Sequence, residues 1–69
     1  MSATDMQALV RSVIIIFGLP YAVVSVIEAP AAWNVVVRAG TGEIVRFTVE
    51  DGARDDMRMT IQRVLQAER

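Results

Sequence analysis

The sequence predicts a two-layer α+β sandwich in the order α-β-β-β-α, a three-stranded antiparallel meander with both helices on one face. Apolar residues recur at helical spacing from Met6 to Phe17 and again from Met57 to Leu65. Between these blocks, Trp33–Ala39 and Glu43–Glu50 alternate apolar and polar residues around the turn Gly40-Thr41-Gly42. No repeat, low-complexity tract or linker divides the 69 residues, so a single small domain over 1–69 is expected.

The first helix has a marked start and stop. Thr4-Asp5-Met6-Gln7 fits a capping box, with Thr4 at N-cap and Gln7 reaching back. Asp5 places negative charge where the helix dipole favours it. Met6, Leu9, Val10, Val13, Ile14 and Phe17 form one apolar face, and Ile15 and Ile16 widen it, predicting cover on more than one side. Gly18-Leu19-Pro20 then reads as a Schellman ending, with Gly18 left-handed and Leu19 packed on Ile14.

That ending decides how the uncharged stretch Val13–Ile27 is read. A spanning helix needs about 20 apolar residues, and this run is interrupted by Gly18 and Pro20. Ala29-Pro30-Ala31 has the small residues of a signal-cleavage site, but cleavage there would leave only residues 32–69. A helix end followed by a strand is the expected reading, in a soluble, cytoplasmic chain with no membrane partner.

Three strands follow, at Ala22–Glu28, Trp33–Ala39 and Glu43–Glu50. A two-residue loop at Gly40-Thr41 would set Val35 opposite Arg46 and mix the faces. A three-residue loop pairs Val37 with Val45, Val35 with Phe47 and Trp33 with Val49, keeping one face apolar and putting Gly42 at the left-handed position. The first strand can bury either face, exposing Val24 and Val26 or Val23 and Ile27.

Asp51 or Gly52 is placed to cap the last helix, and Asp55 and Asp56 suit its first turn. Met57, Ile61, Val64 and Leu65 make its buried stripe, Arg63 and Arg69 fall toward its C-terminal end, and Met59 faces away.

With both helices on one face, the other is left bare, carrying Asn34, Val36, Arg38, Ile44, Arg46, Thr48 and Glu50. A chain this short buries only about 60% of its unfolded surface, yet 54% of its residues are hydrophobic. Self-association through the open sheet offsets that shortage. The expected interface residues are Val36, Arg38, Ile44, Arg46, Thr48 and Met59, and the expected assembly is a homodimer, or else a complex with another protein.

Catalytic chemistry has little to draw on. There is no His, no Cys and no Lys, so Ser and Thr hydroxyls lack an activating base and thiolate metal sites are excluded. Glu50-Asp51 and Asp55-Asp56 match no calcium loop and are explained by helix capping. Gly40-Thr41-Gly42 joins two strands instead of opening a helix, which a phosphate loop requires. No enzyme activity, cofactor or metal is expected.

The element order is similar, along the whole chain, to that of the double-stranded-RNA-binding domain. That family grips phosphates with a Lys-rich start to its second helix, where this chain reads Gly52-Ala53-Arg54-Asp55-Asp56. No RNA-contacting residue is therefore carried over, and the net charge of −1 offers no field for nucleic acid. The leading expectation is a non-enzymatic structural or regulatory interaction module that self-associates. The alternatives are nucleic-acid binding through Arg38, Arg46, Arg54 and Arg58, and a small-ligand site between sheet and helices near Tyr21 and Trp33.

Overall fold

A computed structural model describes residues 1–67 and has the order α1 (Ala3–Ile16), β1 (Tyr21–Ala29), β2 (Ala32–Ala39), β3 (Ile44–Glu50) and α2 (Arg54–Ala67). The strands form one antiparallel sheet in the order β1-β2-β3, the predicted meander.

Ser2 caps α1, two residues before the predicted Thr4. Its hydroxyl accepts from the Asp5 N–H at 3.2 Å, and Asp5 Oδ2 accepts from the Ser2 N–H at 3.1 Å. Both Ser2-x-x-Asp5 and Thr4-x-x-Gln7 have cap-box spacing, and the ionised Asp5 is the stronger acceptor. That bond to the Ser2 backbone, and then the one to its side chain, holds the Asp5 carboxyl below its ordinary pKa. At the other end Gly18 is left-handed, at φ 61°. Leu19 N–H reaches Ile14 O at 2.9 Å and Gly18 N–H reaches Ile15 O at 3.2 Å, the two bonds of the predicted Schellman ending.

The β2–β3 hairpin has the predicted three-residue loop, with Gly42 at φ 93° and Val37↔Val45, Val35↔Phe47 and Trp33↔Val49 in register. The β1–β2 turn is two residues, Pro30-Ala31, with Ala31 at φ 58°. β1 resolves neither way predicted. Val23 pairs with Val37, but the next pair is Ser25↔Val36, so Val24 is an extra, bulged residue. The bulge changes parity in mid-strand: Tyr21, Val23 and Val26 pack on the core, while Val24 and Ile27 face out.

Met6, Leu9, Val10 and Val13 of α1 meet Trp33, Val35, Val37 and Val49 of the sheet and Met57, Ile61 and Leu65 of α2, all at most 2% exposed. Val64 is only half-buried at the margin of this stripe. Ile15 and Ile16 are 70% and 69% exposed, so α1 is covered on one side only, contrary to the wider stripe expected. α1 leads into β1 at the Tyr21 end of the sheet, whereas α2 leaves β3 at the Glu50 end. With 14 residues each, both helices run from the Glu50 end to the Tyr21 end.

Neither Asp51 nor Gly52 caps α2. Ala53 O accepts the Met57 N–H at 3.0 Å, while Asp51 turns to β2, its N–H on Ala31 O at 3.0 Å and its Oδ1 facing Trp33 Nε1 at 3.5 Å. Asp55 and Asp56 do lie in the first turn. Arg63 stands before the last turn, and Arg69 lies outside the described residues.

Candidate interaction surface

The bare face of the sheet is set by strand alternation. Residues whose side chains point to the helices on β2 and β3 are Trp33, Val35, Val37, Val45, Phe47 and Val49, so their neighbours point to the other side. Read across the three strands, the open face has four rows: Ala22–Arg38–Ile44, Ser25–Val36–Arg46, Ile27–Asn34–Thr48 and Ala29–Ala32–Glu50. The bulged Val24 stands between the first two rows and is 51% exposed; Ile27 is 61% and Ile44 39% exposed.

Five of the six predicted interface residues, Val36, Arg38, Ile44, Arg46 and Thr48, therefore share this face. Met59 does not. It is 55% exposed on α2, about 160° around the helix from Ile61, which is fully buried against the sheet. It belongs to the outer side of the helix layer, and one flat interface cannot include both. Sequence reasoning missed Val24 and Ile27 as a pair. No sequence signal separates them from Val23 and Val26, because all four positions are β-branched aliphatic residues.

Two polar features mark the face. Thr48 Oγ1 donates to Asn34 Oδ1 at 3.2 Å, and a depression of about 220 Å³ lies over them, bordered by Val36 and Arg46. Arg38 and Arg46 sit on diagonal positions across β2 and β3. Among the described residues neither makes an ion pair; the one present joins Arg58 Nε to Asp55 Oδ1 at 4.0 Å on α2. Glu28, placed opposite Trp33, has the parity of the helix side and does not join the open face.

Tyr21 and Trp33, near which a small-ligand site was expected, stand at opposite ends of the sheet. Tyr21 pairs with Ala39, six residues along β2 from Trp33, a separation of about 20 Å, and Trp33 is 2% exposed. A separate open cleft of about 440 Å³ lies at the Tyr21 end, lined by Leu19, Pro20, Tyr21, Arg38 and Gly40.

Among the described residues no group of three acidic side chains is close enough to hold a metal ion, and no polar or charged side chain is buried. Nor is any helix among them long and apolar enough to cross a membrane. Comparison with protein-family models, curated proteins and solved structures finds no match to this chain.

Proposed function

We propose that this chain is a non-enzymatic structural or regulatory module that self-associates through the open face of its sheet. The observation that carries the reading is the set Val24, Ile27, Val36 and Ile44, β-branched side chains gathered on a face that no helix covers. The non-enzymatic part is supported by the absence of His, Cys and Lys and of any buried charged side chain among the described residues.

Size sets the expected strength. Three strands spaced about 4.8 Å apart and seven residues long present roughly 330 Å² in projection. Stable complexes bury about 800 Å² per partner. Association through one such face is weak and falls apart on dilution.

Sedimentation equilibrium across a concentration series tests this, with Val36→Glu and Ile44→Glu alongside. The expected result is a mass that falls from dimer toward monomer on dilution, with both variants folded and their association through the face lost. A wild type that stays monomeric, or an assembly indifferent to both substitutions, overturns the reading.

One observation favours nucleic-acid binding as a second reading: Arg38 and Arg46, neighbours on the open face without an ion pair among the described residues. Two phosphate contacts predict a shallow salt dependence, with a slope near −1.8 in log K against log salt. Binding of mixed oligonucleotides that is lost in Arg38→Glu and Arg46→Glu would support it. Arg54 and Arg58 belong to α2, in the other layer, and cannot join the same flat contact.

A further inference from the structure

We infer that β3 is a second self-association site, pairing edge to edge with β3 of another copy about a two-fold axis through Thr48. The hydrogen bonds at the two ends of the β2–β3 ladder show which way the β3 backbone faces. Ala39 N–H reaches Glu43 O at 2.8 Å and Asp51 N–H reaches Ala31 O at 3.0 Å, so odd-numbered residues of β3 turn their N–H and C=O toward β2. Ile44, Arg46, Thr48 and Glu50 consequently turn theirs to the outer edge, where no further strand adds to the sheet.

The two edges of the sheet differ. β1 is interrupted by the bulge at Val24 and flanked by Pro20 and Pro30, devices that discourage strand addition. β3 has a continuous register and no proline. Its edge carries two charges of opposite sign, Arg46 and Glu50. Within one copy they are about 13 Å apart along the strand, too far to pair.

Three antiparallel registers with a second copy engage at least three of these four residues, and charge separates them. Centring on Arg46 sets Arg46 against itself, and centring on Phe47 sets Ile44 against Glu50. Centring on Thr48 sets Thr48 against Thr48 and Arg46 against Glu50 twice, satisfying every charge on the edge. The open faces then lie on the same side, so the product is a six-stranded sheet whose bare face is doubled to about 660 Å². This inference stands apart from the face-to-face reading, because Val36→Glu blocks the centre of the face and leaves the β3 edge intact.

Charge exchange and cross-linking test it, in the wild-type background and in Val36→Glu, which removes the face contact. Arg46→Glu and Glu50→Arg should each weaken the dimer about tenfold by sedimentation equilibrium, and the double exchange should restore it. The chain has no Cys, so Thr48→Cys introduces a unique thiol. Across the two-fold axis its Cα lies about 5.5 Å from its mate, within disulfide range, whereas Arg46→Cys leaves the thiols about 13 Å apart. Rapid oxidation of Thr48→Cys but not Arg46→Cys to a covalent dimer is expected. A monomeric wild type, equal cross-linking at both positions, or a double exchange as weak as either single change overturns the inference. Loss of association in Val36→Glu together with failed charge rescue would leave the open face as the only contact and remove the edge.

Discussion

The backbone N–H of Leu19 donates to the carbonyl of Ile14 at 2.9 Å, closing α1 around the left-handed Gly18. Both side chains enter the core, at 6% and 8% exposure, so the cap also aims β1. Gly18→Ala meets nothing within 4 Å, and its cost is therefore the backbone conformation alone. The expected loss is about 1–2 kcal/mol, read from chemical denaturation. Asn at the same position should cost less, since it tolerates this conformation better.

Ala31 is the one described non-glycine residue with positive φ, at the second position of the Pro30-Ala31 turn. Ala31→Gly relieves that strain while keeping the carbonyl that accepts from Asp51. The flexible unfolded chain offsets part of the gain, leaving a stabilisation of up to about 1 kcal/mol. Thermal unfolding should show a Tm raised by several degrees, about 4–8 °C per kcal/mol in a domain this small.

Ile61 is fully buried where α2 meets the rest of the core. Ile61→Ala is expected to cost about 2–5 kcal/mol and Ile61→Val about 0.5–1.5 kcal/mol. Total stability for 69 residues is on the order of 3–10 kcal/mol, so the alanine variant should lose a large share of it and the valine variant little. Far-UV circular dichroism with a denaturant titration distinguishes the two.

The Ser2–Asp5 box makes the start of α1 sensitive to acid. The Asp5 pKa is lowered in the folded state, chiefly by the Ser2 backbone N–H. Its contribution is thus present above the ordinary carboxylate value and is lost as pH falls through the lowered one. Amide protection in the first turn of α1, relative to the intrinsic exchange rate at each pH, should fall over that acidic range. Asp5→Asn should flatten this dependence, leaving the turn frayed at every pH.

Much of the fold was legible because its signals are local. Helical spacing marked both buried stripes, Gly18-Leu19-Pro20 marked a helix end, and a three-residue loop was the choice that kept the β2–β3 faces apart. Cap positions were less so, because Ser2 and Thr4 both precede a polar acceptor at the right distance, and Asp51 was claimed by Trp33 and Ala31 instead of by α2. For the candidate surface, five residues of β2 and β3 were placed together by alternation alone, whereas the outward angle of Met59 did not say that it lies on the far side of the other layer.

By itself, then, the sequence determined the element order, the hairpin register and the apolar stripes, since each depends on contacts within a few residues or on a repeating period. Tertiary structure alone decided which β1 residues face out. Val24 is displaced by pairing with a strand more than ten positions away, and the gain from burying both Val23 and Val26 outweighs the lost regularity of the ladder. Only the folded sheet also exposes the backbone of β3 at an edge and sets Arg46 and Glu50 along it.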